Sequence, residues 1–511
     1  MDLQRSSGVL LHPTSLPGPY GIGDLGENAY WFVDFLVDSG QQWWQVMPVG
    51  TTGYGDSPYQ SFSAFAGNPL LLDLDALSEQ GLVDVEAVAD HPQFSDEQVD
   101  FGAVIAWKMS ILHDVHQRFS ESADEGLKTE YLTFLDHNRF WLEDFALFMA
   151  LKDEFKSAWV AWPEAIRDRQ PQAVAQYSDK LADAVRRHRM LQFLFAHQWQ
   201  KLKSYANDQG VSIFGDVPIF VAHDSADVWA QRDLFFLDET GNPTVVAGVP
   251  PDYFSATGQR WGNPLYRWDR MAQDGYRWWA ARLRHAFTLY DLVRLDHFRG
   301  FAAYWAIPAE EETAVEGRWV AGPGANFFDA MEAQLGELPI VAEDLGVITP
   351  DVEALRDDFG FPGMKVLQFA FDGKTKNVHL PHWYTPNAVV YTGTHDNDTT
   401  RGWWDTLDFA AQHEVLRYLG RHHLPPMRIG PQLIRQAMRS VAVLAVTPLQ
   451  DILNLGSAAR MNTPSAAAGN WQWRFKHAAL TGHLSRWLHH MCSLYGRLPE
   501  SEESGMVEAD D

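Results

Sequence analysis

At 511 residues the chain is long for one compact unit, yet 46% of it is apolar, enough for a large core and too much for global disorder. Its formal net charge of −27 repels polyanions, which argues against nucleic acid and acidic membrane surfaces as partners but leaves a neutral substrate indifferent. A single cysteine, Cys492, excludes an intrachain disulfide framework and suits a reducing compartment.

The N-terminal segment Met1–Ser7 lacks the apolar stretch of a secretion signal, so a soluble cytoplasmic protein is expected. Short apolar or β-branched runs that end in polar residues then mark eight strands: Gly8–His12, Trp43–Val49, Val211–Phe220, Leu292–Asp296, Ile340–Glu343, Lys365–Phe371, Ala388–Thr392 and Val441–Val446. The last run is too short to cross a bilayer. After the first strand, Ala29, Phe32, Val33, Leu36 and Val37 share one face at helical spacing, with Gly40 where a C-terminal cap belongs. Gly21–Gly26 spells the dinucleotide pattern GxGxxG, but it follows a Pro-rich turn, and Val46 stands where a ribose-binding acid is needed. It reads as a loop entering the first helix.

Two gaps are too long for a plain strand–helix unit. About 160 residues separate the second and third strands and include helical patterns at Phe140–Phe155 and Leu181–Tyr205; about 70 more, rich in Gly, Pro and aromatics, precede the fourth. Strands alternating with helices imply a parallel sheet, and eight of them imply closure. The expected fold is therefore α/β, a (β/α)8 TIM barrel forming a single domain over 1–511. It carries a mostly helical insertion at roughly 50–210 after strand 2 and a loop-rich one at 221–291 after strand 3, with no C-terminal β-domain. The acidic tail 501–511 reads as frayed.

In such a barrel the site lies at the carboxyl ends of the strands. Three carboxylates fall there: Asp296 at the end of the fourth strand, Glu343 at the end of the fifth and Asp396 just past the seventh. Glycoside chemistry needs such a set, one carboxylate to attack the anomeric carbon and one to protonate the leaving oxygen. A retaining pair stands about 5–5.5 Å apart, close to the spacing of neighbouring strands, about 4.7–4.9 Å. Arg294, two residues before Asp296, faces the same way and would keep that carboxylate ionised. His395 and Asp396 are adjacent and can both serve the site only if the chain is already turning there. Asp216 ends Ile213-Phe-Gly-Asp216 and either bonds sugar hydroxyls or supports the barrel mouth. Two loops, Gly53–Gln60 with Tyr54, Ser57 and Tyr59, and Pro250–Trp261 with Tyr253, Phe254, Gln259 and Trp261, offer aromatic rings suited to the apolar faces of sugars. The paired histidines His422–His423 and His489–His490 point apart and suggest no metal site.

With these residues in place the chain resembles the bacterial amylomaltases, or disproportionating enzymes, a branch of the α-amylase clan. The likeness runs from Gly8–Pro17 through Gly53–Pro69, Val293–Phe301, Val341–Thr349 and Thr392–Thr400 to Asn470–Arg474. It implies a 4-α-glucanotransferase with Asp296 as nucleophile, Glu343 as acid/base and Asp396 as transition-state stabiliser. It further implies that Arg294, His395, Asp216 and Tyr59 line the subsite of the attacked sugar. Gln259 and Trp261 would then lie over the cleft, and Tyr54 at an outer glucan contact. The implied partners are α-1,4-glucan donors and glucose or maltooligosaccharide acceptors, with no cofactor. A hydrolase of the same clan and a catalytically silent glycan-binding scaffold are the alternatives, the second disfavoured by the complete carboxylate set. One departure stands out: Asn462-Thr-Pro-Ser465 ends in serine where the family has glycine, which removes a permissive backbone position.

Overall fold

Among the described residues twelve strands appear in chain order: β1 (Ser6–Leu10), β2 (Trp43–Gln45), β3 (Ser212–Pro218), β4 (Val245–Val249), β5 (Gln259–Pro264), β6 (Leu292–Asp296), β7 (Ala303–Pro308), β8 (Arg318–Ala321), β9 (Ile340–Ala342), β10 (Gly363–Val366), β11 (Ala388–Tyr391) and β12 (Leu444–Pro448). The computed structural model describes residues 3–251, 255–466 and 468–499. Eight strands close a parallel barrel in the order β1-β12-β11-β10-β9-β6-β3-β2. Each of the eight sequence runs contains or overlaps one of these barrel strands. The seam is made by β1 against β12, from Ser6 opposite Leu444 to Leu10 opposite Pro448.

The first helix, Glu27–Asp38, buries Ala29, Phe32, Val33 and Leu36 on the expected face. Gly40 follows it with φ +68°, the left-handed turn that glycine takes without a Cβ clash. Gly21–Gly26 is indeed loop, and Gly26 is the helix N-cap. After β12 the described residues form short helical turns and loops and then the helix Gly482–Leu494, with one bridge, between Gln98 and Trp473. Among the described residues no helix is long and apolar enough to cross a membrane.

The long insertion is built on two helices, Glu125–Phe155 and Ala182–Asp208. Asp124 caps the first by accepting the Leu127 N–H at 2.8 Å. The inner turns of both are apolar; Phe145, Phe148, Leu151, Leu191 and Leu194 are buried, each worth about 1.5–3 kcal/mol of transfer free energy. Their polar edges pair as well: Asp153 accepts from Arg187 and His188, each at 2.9 Å, and Arg189 pairs with Glu143.

The second helix also holds the loop that follows β2. Gln192 exchanges two hydrogen bonds with the Gly67 backbone, 2.7 Å to its N–H and 2.9 Å to its carbonyl, as a neighbouring strand would. A Cβ on Gly67 would lie 1.9 Å from the Phe195 ring, so only glycine permits this docking. Six residues on, Gln198 accepts the Asp73 N–H at 2.8 Å. A surface-like loop is thereby fixed against a helix.

The sequence reading of 221–291 as loop omits two strands. β4 and β5 pair antiparallel there, and with β7 and β8 they form a second sheet, ordered β5-β4-β7-β8. These strands were hidden because the segment around Val245–Val249 is short and its partners Ala303–Pro308 lie beyond the fourth barrel strand. β5 pairs with β4 close by in the chain, but the sheet is completed only by β7 and β8 from beyond that strand.

Candidate active site

The register of β6 and β9 sets the site. Arg294 stands opposite Val341 and Leu295 opposite Ala342, so Asp296 and Glu343 leave the barrel side by side. The ladder continues past the strand end: the Glu343 N–H donates to the Leu295 carbonyl and the Phe298 N–H to the Glu343 carbonyl, each at 3.1 Å. The Glu343 side chain is half-buried, and both its oxygens accept backbone N–H groups, from His297 at 2.7 Å and Leu345 at 3.1 Å. His297 reaches it by taking a left-handed conformation, φ +51°, a strained state for a residue with a Cβ that tends to occur at functional turns. Burial, aided by the charge of Asp296 and opposed by Arg294, pushes the Glu343 carboxyl up to about 8. That keeps it protonated at neutral pH, as a general acid must be.

Arg294 ties β3 to the end of its own strand, β6. One guanidinium nitrogen donates to Asp216 at 2.6 Å, directly across the β3–β6 register, and the other lies 2.8 Å from Asp296. Burial alone would depress its pKa, but Asp216 and Asp296 raise it well above the ordinary arginine value. Asp216 is only 3% exposed, and the same oxygen that meets Arg294 also accepts the Tyr59 hydroxyl at 3.0 Å. Burial pushes its carboxyl up to about 7 despite Arg294. Asp216 thus holds Arg294 and Tyr59 through one oxygen, while its other oxygen has no hydrogen-bond partner.

Asp396 is held differently. β11 ends at Tyr391, so the chain is already turning at His395 and Asp396, and adjacent residues can face one site. His395 is buried beside the Tyr59 ring, stacked at 5.2 Å and 19°, with Trp471 tilted 5.8 Å away. Burial lowers the His395 pKa against the pull of Asp396, leaving the imidazole neutral. The Asp396 carboxylate is 46% exposed. One of its oxygens accepts the Asn462 amide at 2.6 Å and lies 3.4 Å from His395; its backbone carbonyl accepts from Arg460 at 2.6 Å.

Around this centre, Trp261 on β5 donates to Gln259 at 3.1 Å and meets the His297 ring edge-on at 4.8 Å. β5 therefore reaches the turn that follows Asp296. Ser57 is half-buried and accepts the Tyr59 N–H at 3.3 Å, which shapes the turn carrying that ring. Tyr54 falls in the short turn Tyr54–Asp56. Tyr253 and Phe254 lie outside the described residues. Sequence reasoning missed His297, Arg460, Asn462 and Trp471 as parts of the site. A signal was present for three of them: His297 and Trp471 fall in segments that carry the resemblance, and Asn462 opens the segment that departs from it at Ser465. Ser465 does take the conformation glycine would favour, φ +67°.

Comparison with known proteins gives consistent results. A family model described as 4-alpha-glucanotransferase matches residues 11–481. The chain is 53% identical over 494 residues to a 4-alpha-glucanotransferase of Thermus thermophilus, covering 95% of this chain and 97% of the relative. It is 50% identical over 498 residues to one of Synechocystis, covering 97% and 98%. Among solved structures, an amylomaltase from Streptococcus agalactiae in complex with acarbose superposes with a TM-score of 0.93 at 40% identity, covering 97% of this chain and all of the other.

Proposed function

The chain belongs to the 4-α-glucanotransferase family and is a 4-α-glucanotransferase, and from that premise we propose a retaining double displacement in which Asp296 and Glu343 do the bond chemistry. Glu343 gives its proton to the glycosidic oxygen while an Asp296 oxygen attacks the anomeric carbon. The C–O bond breaks, the shortened glucan leaves with the proton, and a glycosyl-enzyme ester remains. The 4-hydroxyl of glucose or of another glucan then attacks that carbon, Glu343 takes its proton, and Asp296 is released. Two inversions restore the α configuration.

The observation that carries this reading is the side-by-side exit of Asp296 and Glu343 from paired strands, with Arg294 against one and two backbone N–H groups on the other. Asp396, fixed by Asn462 and close to His395, faces the charge that develops on the sugar. The mechanism needs no cofactor and no metal. The single cysteine supports a cytoplasmic setting.

Water at about 55 M competes with every sugar acceptor, so transfer must come from differential binding of the acceptor in the transition state. Trp261, and with it Phe254 seven residues earlier in the chain, is proposed to supply that bias by stacking on the acceptor. Incubation with maltotriose alone tests it. Glucose, maltopentaose and longer chains should form with little net rise in reducing ends, and Trp261→Ala or Phe254→Ala should raise the ratio of hydrolysis to transfer. Reducing ends rising in step with substrate loss in the unaltered enzyme would contradict the acceptor assignment. An unchanged ratio in both variants would remove these rings from it.

A further inference from the structure

Asp451 lies in the helical turn Leu449–Ile452 just after β12, and no sugar can reach it: it is 2% exposed. Among the described residues it has no cationic partner within ion-pair distance, so its buried carboxylate is carried by hydrogen bonds alone. One oxygen accepts the Thr392 hydroxyl at 2.5 Å and the Thr400 hydroxyl at 2.6 Å; the other accepts the Thr400 N–H at 2.6 Å. Both threonines are fully buried. Thr392 is the first residue past β11, and Thr400 opens the helix Thr400–Thr406. Residues 393–399 between them form the turn that carries His395 and Asp396. A single carboxylate oxygen therefore gathers the two ends of this turn, much as a cross-link would, and removes the freedom an open turn would have.

Burying a carboxylate without a cation is costly, and it is tolerated where each lone pair is used. Helix capping alone would need only the Thr400 N–H. The bond to Thr392, eight residues earlier and just past β11, serves to close the turn. A second strut is parallel to it: Gln368 donates to the Asp398 carbonyl at 2.9 Å, and Asp398 accepts the Ser457 hydroxyl at 2.6 Å. These contacts fix the base of the turn, while Arg460 and Asn462 fix its tip.

We propose that Asp451 is a positioning residue for the transfer reaction, setting where Asp396 and His395 stand by clamping both ends of the turn from Thr392 to Thr400. The proposal rests on the reading of Asp396 as the group that stabilises the transition state. Misplacement by about 1 Å of a group acting on the transition state costs on the order of 100-fold in rate.

The test is a double-mutant cycle with α-glucosyl fluoride as donor, whose good leaving group keeps residual rates measurable. Asp451→Ala should lower kcat about 100-fold with KM within about threefold. Asp451→Asn, whose amide oxygen still accepts the Thr400 N–H, should recover part of that loss. In an Asp396→Asn background the Asp451→Ala change should cost less than about threefold, because misplacing a group that no longer acts costs little. If Asp451→Ala does not fold, Thr392→Val cuts one arm of the clamp and is measured in the same two backgrounds, with about a tenfold loss expected in the first only. Equal losses in both backgrounds, or an unchanged kcat, would overturn the proposal while leaving the role of Asp396 intact. Full activity in Asp396→Asn alone would overturn the reading of Asp396 and this proposal with it.

Discussion

The strand-end pair and the turn past β11 hold carboxylates by different means. Asp296 and Glu343 are placed by backbone: the β6–β9 ladder sets their spacing, and its hydrogen bonds continue through Leu295, Glu343 and Phe298. Asp396 is placed by side chains that arrive from more than fifty residues away, Asp451 and Arg460 on the backbone of its turn and Asn462 on the carboxylate itself. A ladder yields one spacing, near the one a retaining pair requires. A side-chain network can put a carboxylate where no strand ends, at the cost of depending on every member. The two acids proposed to make and break bonds sit on the arrangement with less freedom.

If this contrast is right, removing a group from each region should have consequences of different size. Asp296→Asn keeps shape and ladder but deletes the attacking charge, and turnover on maltotriose should fall by about 10^4-fold or more with folding unchanged. Retention of a tenth of the activity would show that the nucleophile lies elsewhere. Asn462→Ala removes one charge-assisted hydrogen bond from Asp396, worth about 1.5–3 kcal/mol, so kcat should drop about 10- to 100-fold. A loss as deep as that of Asp296→Asn would mean that the turn is no less critical than the strand pair.

The pH profile sharpens the comparison at Glu343. Its raised carboxyl is protonated below about 8 and loses the proton above it. The general acid is thus present at neutral pH and disappears as pH rises, so kcat/KM on maltotriose should be level on that side up to about 8 and then fall about tenfold per unit. Profiles that fall already from pH 5 would deny Glu343 the acid role. The smallest effect is expected at Ser465, whose left-handed φ strains a residue with a Cβ. Ser465→Gly relieves that strain but frees the unfolded chain, for a net gain of roughly 1 kcal/mol or less and a Tm rise of about 1–2 °C, with activity unchanged. A lower Tm would show that the loop is not strained there.

The same contrast explains what the sequence discloses. Asp296 and Glu343 are legible because each ends a short apolar run, a local pattern that fixes strand, direction and end together. Asp396 is legible only through its neighbours in Thr392–Thr400, and Asn462, Arg460 and Asp451 are not legible as its partners, since nothing local links residues some sixty positions apart. Asp216 illustrates the limit from the other side. Its place near the end of β3 suits a sugar contact and a support role equally, and its bonds to Arg294 and Tyr59, made by one oxygen only, are not legible in the sequence. The sheet of β4 and β5 is illegible for a similar reason, since β7, which pairs with β4, lies past the fourth barrel strand.

The central claim is that Asp296 becomes covalently bonded to the sugar while Glu343 handles the proton. Glu343→Gln separates the two jobs. An α-glucosyl fluoride donor needs little protonation to leave, so this variant should still load, but without a base to activate the acceptor it should unload slowly. Mass spectrometry of the denatured, digested protein should then find one added glucosyl unit on the peptide containing Asp296. An adduct on any other residue, or rapid turnover of the fluoride with no adduct at all, would contradict the account.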